Sequence, residues 1–542
     1  MTDRAVPILL FVAAALAFAV GIWELPVLDR DEARFAQAVR QMVATGDYVD
    51  IRFHDGARHN KPAGIYWLQS IAVLIFGEAG IWVHRLVSVL AAAGASVALI
   101  WAGTPLVGRR AAVWAGLILA TIWMLQAEAR IAKTDATLLL TIVLAMGALA
   151  RVWTDRAVSP WIAATFWTAL AAGVLIKGPI ILMPVGGAMV WLSIRERSAG
   201  WMSGLRPLPG LAWFVLLVAP WYLAIIIQTQ GGFLMDSLVG DLTDKVTTTD
   251  EADGTPPGTY LVTFWLTFFP WGLLAPLAVL WAWARRHEAA TAFLAGWIIP
   301  TWVPFELIPT KLLHYTLPTY PAIALICGAV LAGLADGSDR FRGWAAHIGA
   351  GLTGLAALGF AAAMVWAPME YGGGIAPLAA AGAGLAVALV LWGVVLVYRA
   401  RAAHGAMVLA AGGAVTAWTL FAVTLPSLDR LWITPRIEAA MARHACLDGP
   451  IAMVGFQEPS TVFTFGRDTR LMDAATAVGA LANGSVGAAW VPVEQMGAQG
   501  LNPEGGVADL TEVRGTNYSN GDDVALHLLV PPGLPAPASP CD

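Results

Sequence analysis

The sequence predicts an α-helical polytopic membrane protein that ends in a soluble α/β domain, and three observations carry that prediction. Of its 542 residues, 58% are hydrophobic and 13% charged, against about 25% charged in a soluble chain; the mean hydropathy is +0.67. The apolar runs are about twenty residues long, which suits a spanning helix and not the ten-residue alternating strand of a membrane barrel. After Leu425 the runs stop, and 427–542 is rich in Gly, Pro and Asp turns.

The expected spans are 5–27, 82–102, 111–127, 135–152, 160–176, 179–194, 209–228, 260–283, 289–307, 315–334, 344–367, 376–398 and 405–425, about thirteen in all. The N-terminal run is too long for a signal-peptide core and reads as an uncleaved first span. The run 65–77 is too short to cross and reads as re-entrant or interfacial. With Arg4 placed inside, the inside loops carry arginine pairs such as Arg109-Arg110, Arg285-Arg286 and Arg399 with Arg401, as short cytoplasmic loops do. An odd number of spans then leaves the C-terminal region outside. There IAMVGF (451–456) and VALHLLV (524–530) read as strands and ATAVGALA (475–482) as a short helix. This divides the chain into a transmembrane domain, 1–426, with outside loops 28–81 and 229–259, and an outside α/β domain, 427–542. In an oxidising compartment Cys446 and Cys541 could pair, and the spacing leaves that open.

The same orientation gathers the unusual polar residues on the outside: Asp31, Glu32, Arg34 and Lys61, then Glu128, Arg130, Lys133 and Asp135, then Lys177, then Lys311, His314 and Tyr315. Ionisable groups at span ends facing one compartment suggest one shared site. The densest stretch, DRDEAR (29–34), reads as a helix start running to about Ala44, where acids suit the dipole. Asp31 and Arg34 then share a face at i, i+3. A carboxylate there can take a proton and a guanidinium can hold a phosphate. Lys61 precedes Pro62, which keeps it extended. Asp135 opens a span, where capping alone would explain it. Lys177-Gly178 marks a sharp break between spans.

The ordered segments DRDEARFA, NKPAGIYW, RIAKTDA, LIKGP and PTKLLHYTLPTYP, with EPSTVF and NYSNG near the C-terminus, resemble the bacterial membrane glycosyltransferases of the GT-C class. Within it they are similar to the aminoarabinose (lipid A) transferase family and its protein O-mannosyltransferase-like relatives. The resemblance implies a GT-C fold, a polyprenyl-phosphate sugar as donor, inversion at the anomeric carbon, and an acceptor on the periplasmic face of a bacterial inner membrane, such as lipid A, another lipid or glycan, or a protein. It assigns Asp31, Glu32 and Asp135 to catalysis and Arg34, Lys61 and Tyr315 to the donor phosphate and substrate; Lys177, Lys311 and His314 join the substrate-binding set from their place on the same outside face. Aminoarabinose enzymes often carry an acid before the lysine; this chain has Asn60 there, so the resemblance does not carry the sugar's identity.

No nucleotide-binding loop and no basic patch for nucleic acid is present in the sequence. A resident cofactor is not expected; a divalent metal stays open, because His54, His59 and His314 have no diagnostic ligand spacing. A monomer in contact with membrane lipid is expected. A protein O-glycosyltransferase is the alternative within the class. A flippase of lipid-linked sugars is the alternative outside it, and would be marked by mid-span charges and inverted repeats.

Overall fold

The computed structural model describes residues 5–155, 159–235, 255–443, 449–498 and 508–531. Cys446, Cys541 and most of the 229–259 loop lie outside the described residues. The first helices are α1 (Ala5–Ala19), α2 (Asp31–Thr45), α3 (Gly64–Phe76), α4 (Ile81–Val107), α5 (Arg109–Thr121), α6 (Trp123–Glu128), α7 (Asp135–Thr154), α8 (Pro160–Lys177), α9 (Leu182–Glu196) and α10 (Pro207–Gln228). The main apolar core is built where α1, α4, α5, α7 and the helix Tyr320–Asp336 meet. Small residues allow the close approach: a Cβ on Gly328 would lie 2.4 Å from the Ala111 carbonyl oxygen, the packing device expected between helices in lipid.

The expected span count is corrected downward. Among the described residues, eight helical stretches are long and apolar enough to cross a membrane, or nine if the pair Thr259–Thr267 and Trp271–Ala284, bent by 117°, is one span. Hydropathy sums over breaks that the backbone respects. The first run, 5–27, contains only a 15-residue helix, about 22 Å long. The run 111–127 is split at Ile122, whose extended backbone separates α5 from α6. The runs 160–176 and 179–194 lie in one helical stretch, Pro160–Glu196, interrupted at Gly178, where φ is +70°.

Beyond α1 the chain from 20 to 30 is not helical, and its carbonyls need donors. Two buried arginines supply them. Arg130 donates to the Val20 carbonyl and also to that of Ala17 in the last turn of α1, and Arg85 donates to those of Ile22, Leu25 and Pro26. Outside the spans, Arg52–Phe53 (β1) and Gly56–Ala57 (β2) form a small antiparallel hairpin.

The C-terminal region is a mixed five-stranded sheet of β3 (Ile451–Met453), β4 (Arg470–Leu471), β5 (Ala488–Pro492), β6 (Ala508–Thr516) and β7 (Asp523–Val530), in the order β4-β3-β5-β7-β6. Strand β3 runs parallel to β4 and β5, whereas β7 is antiparallel to β5 and β6. Alternate residues serve opposite faces. Ala488 and Trp490 pack with Ile433 and Ile437 of the helix Ile433–Arg443, and Ala489 and Val491 pack with Ala477 and Leu481 of the helix Ala474–Ala482. The two strands and the short helix read from the sequence are all present. This region docks on the first polar loop: Phe463, in the helix Pro459–Phe465, packs with Ala33 and Ala36 of α2.

Candidate active site

The helix read from DRDEAR begins at Asp31 and ends at Thr45, capped by Gly46 in the left-handed region. Its first two acids have opposite fates. Glu32 is fully buried against Arg85, which donates to Glu32 Oε1 at 2.8 Å and to Oε2 at 2.6 Å. The same carboxylate accepts the Ala132 N–H at 2.8 Å and the Leu28 N–H at 2.9 Å. It ties the start of α2 to α4 and to the loop before α7. Asp31 points the other way. Its side chain is 66% exposed, with Arg58 at 3.6 Å. Arg58 is buried, donates to the Tyr66 hydroxyl at 3.1 Å and lies over the Phe35 ring.

Arg34 is half-buried on α2. Burial, and then the neighbouring Arg58 charge, hold its guanidinium below the usual arginine range, with Asp31 and Glu458 acting the other way. Lys61 lies just before α3 and donates to its neighbour's carbonyl, Asn60, at 2.9 Å. Gly64 brings this segment onto the end of α8, because a Cβ there would meet the Leu175 carbonyl oxygen at 2.7 Å. Lys177 is two residues beyond that contact.

A second, largely buried group joins the ends of α6, α7 and α8. Lys177 donates to Asp135 at 2.7 Å. Lys133 lies 3.0 Å from Glu128 and 3.7 Å from Asp135. His314 reaches Asp135 at 3.7 Å and Glu128 at 3.9 Å. Burial disfavours the Lys133 charge, but Glu128 and Asp135 more than offset it, so the ammonium is held above the usual lysine range; the charge of Asp31 also acts on it.

The expected residues thus fall into two groups: Asp31 and Arg34 at the start of α2, with Arg58 beside Asp31, and Asp135, Lys177 and His314 where α6, α7 and α8 end. Lys311 is directed elsewhere, since its ammonium donates to the carbonyls of Thr255 and Ile308. The Tyr315 ring lies tilted against Phe305 and edge-on to His314. The geometry adds Arg58 and Arg85, and it pairs Lys133 with Glu128, both of which the sequence had gathered on this face. Arg85 had a visible signal, a cation just inside an apolar run. Arg58 had none beyond its place in the polar loop. Among the described residues, no three His, Cys, Asp or Glu side chains gather as metal ligands.

Comparison with known proteins agrees in fold and in sequence. Residues 60–223 match the family described as dolichyl-phosphate-mannose-protein mannosyltransferase. The chain is 26% identical over 319 residues to an uncharacterized protein of Aquifex aeolicus, covering 58% of this chain and 70% of that one. It is 27% identical over 345 residues to the undecaprenyl phosphate-alpha-4-amino-4-deoxy-L-arabinose arabinosyl transferase of Aeromonas salmonicida, covering 63% of this chain and 62% of that one. The match to such a transferase from Enterobacter spans only 54% of its length. In three dimensions the chain superposes on crystal structures of ArnT from Cupriavidus metallidurans, in the apo state and bound to undecaprenyl phosphate. The TM-score is 0.74 for both, with 20% and 19% identity and coverage of 96% of this chain and 97% of that one.

Proposed function

We propose that this chain, an ArnT-like membrane protein of the GT-C glycosyltransferase type, moves a sugar from a polyprenyl phosphate to an acceptor at the face carrying residues 28–81. The carrying observation is an exposed carboxylate, Asp31, beside the Arg58 guanidinium, with a second guanidinium, Arg34, on the same first turns of α2. Gathering like charges at a loop is costly unless an anion joins them, and a phosphate is the anion a guanidinium fork matches. The donor phosphate would lie against Arg34, Arg58 and Lys61. The cluster of Asp135, Lys133 and Lys177 beneath keeps the local field in place.

In the transfer, the acceptor oxygen attacks the anomeric carbon, the bond from that carbon to the phosphate oxygen breaks, and polyprenyl phosphate leaves as a monoester, with inversion. The cations stabilise charge growing on the phosphate. A hydroxyl acceptor loses its proton to Asp31. A lipid A phosphate acceptor is already ionised and needs no base. The arabinosyl transferase relatives favour undecaprenyl-phosphate aminoarabinose as donor, and the resemblance of the motifs to the lipid A transferase family favours lipid A as acceptor and a bacterial inner membrane as location. The mannosyltransferase match over 60–223 favours the second reading, a protein hydroxyl.

The test is transfer by purified protein from undecaprenyl-phosphate 4-amino-4-deoxy-L-arabinose and from undecaprenyl-phosphate mannose, each offered lipid A or a Ser/Thr-rich peptide, with products followed by mass. Asp31→Asn should lower kcat by about 10²–10⁴-fold with a hydroxyl acceptor and far less with a phosphate acceptor. Lys61→Ala should weaken donor use with either. Full transfer by both variants sinks the site assignment, and translocation of lipid-linked sugar without product favours a flippase.

A further inference from the structure

The C-terminal sheet reaches back to the polar loop through two segments, the start of the helix Pro459–Phe465 and the turn 517–519. Both land on the two residues that precede Asp31. The Asp29 N–H donates to the Tyr518 hydroxyl at 2.6 Å, and the Asp29 carboxylate accepts the Ser460 N–H at 3.0 Å. The Arg30 guanidinium donates to the Ser519 carbonyl. The two segments are tied to each other, since Asn517 donates to Glu458 at 2.8 Å and its own carboxamide oxygen accepts the Ser519 N–H at 2.9 Å.

The residue between these contacts and Asp31 has an unusual backbone. Arg30 has φ +64° and ψ −111°, a left-handed conformation that a non-glycine residue keeps only when its surroundings over-determine it. On the far side, Glu32 is held by Arg85 and by the Ala132 N–H. Asp31 therefore stands between a neighbour fixed by the C-terminal sheet and a neighbour fixed by the membrane helices. Its own side chain is mostly open, so its aim is set by the backbone on either side.

We propose that Tyr518 and Ser460 are positioning residues for the transfer reaction, and that the C-terminal sheet completes the active site by fixing the Asp29-Arg30 turn that aims the Asp31 carboxylate. The inference rests on the role proposed for Asp31. Without the latch the Arg30 backbone relaxes, α2 keeps its anchor at Glu32, and the acid swings from its productive direction.

Tyr518→Phe removes one hydroxyl and keeps the ring that packs 5.6 Å from Trp432. It should lower kcat about 10- to 100-fold, the scale of a small misplacement of a reacting group, with the KM for undecaprenyl-phosphate 4-amino-4-deoxy-L-arabinose or undecaprenyl-phosphate mannose within about two-fold of wild type. In an Asp31→Asn background, Tyr518→Phe should cost nothing further, because residues acting through one group are non-additive. An equal loss in both backgrounds, or an unchanged kcat, overturns the proposal. Hydrogen exchange gives a second readout independent of turnover. Amides 29–34 should exchange faster in Tyr518→Phe, while those of 85–92 stay as in wild type; unchanged protection of 29–34 overturns it. If Tyr518→Phe is not monodisperse, Asp29→Ala, which removes the acceptor of the Ser460 N–H, enters the same measurements with the same expected outcomes. Full activity of Asp31→Asn would instead defeat the proposed site, and the exchange result would still decide the latch.

Discussion

Two adjacent acids, Asp31 and Glu32, separate the chemistry of this loop from its architecture. Glu32 has Arg85 on both oxygens and two backbone N–H groups besides, so it has no oxygen open to a substrate. Breaking a buried ion pair by removing one partner leaves the other charge uncompensated and costs about 3–5 kcal/mol. Glu32→Ala should therefore lower thermal stability by that amount. The conservative Glu32→Gln should lose stability before catalysis, keeping kcat in the fraction that remains folded. Thermal unfolding alongside turnover per folded protein checks this; a stable, inactive Glu32→Gln would return Glu32 to the chemistry. The helix start was legible in the sequence, because acids at a first turn are a local signal. Which acid is buried was not legible, because Arg85 is brought in from a different helix.

Asp29 carries a pH dependence of the latch. Burial is the main cause that pushes its carboxyl up to about 6; Glu458 adds to this, while bonds from Ser460 and Tyr518 oppose it. The groups acting on it are Ser460, Glu458 and Tyr518, all from the C-terminal region. The folded value lies above the ordinary 3.8, so the folded form binds the proton more tightly. The contribution to stability is complete below about pH 4 and is lost as the pH rises through about 6. Melting of wild type and Asp29→Asn from pH 4 to 7 should show a difference that changes across this window and is flat above it. A difference that does not vary with pH would contradict the assignment.

At the scale of elements, the site depends on how closely α3 approaches α8. Gly64 faces backbone atoms of Leu175 at 2.7 and 2.8 Å from where a Cβ would stand. Backbone cannot yield as a side-chain tip can, so Gly64→Ala should force the elements apart, at about 1–3 kcal/mol. The segment carrying Lys61 would move with it. The expected result is a lower melting temperature together with a raised donor KM, and an unchanged KM would separate Lys61 from donor binding. The motif NKPAGIYW marked this segment in the sequence, and the Lys177-Gly178 break was equally visible as a polar interruption of an apolar run. That the two meet was not visible, because a glycine records a close approach without naming its partner.

At the scale of the molecule, the C-terminal sheet and the loop 28–81 share one face through direct contacts: Arg40 donates to the Phe463 carbonyl and His54 bonds to the Thr469 carbonyl. Sidedness therefore does not depend on counting spans. Single cysteines placed at Asp55 and Asn483, both exposed, should react with an impermeant thiol reagent from one side of the membrane, and a cysteine at the exposed His287 from the other. Labelling of Asp55 and Asn483 from opposite sides would contradict the docked arrangement.

Local properties of the sequence determined the polytopic helical class, the helices beginning at Asp31 and Asp135, the break at Gly178 and the mixed C-terminal region. Hydropathy over twenty residues, acids at a first turn and a glycine after a lysine are all read within a few turns of chain. Tertiary structure alone decided the smaller number of full-length spans, because a helix can break inside an unbroken apolar run. It also decided the opposite burial of Asp31 and Glu32, the approach of Arg58 to Asp31, and the docking of the C-terminal turn on Asp29. Each of these depends on burial and on a partner distant in sequence, and neither is written at the position it acts on.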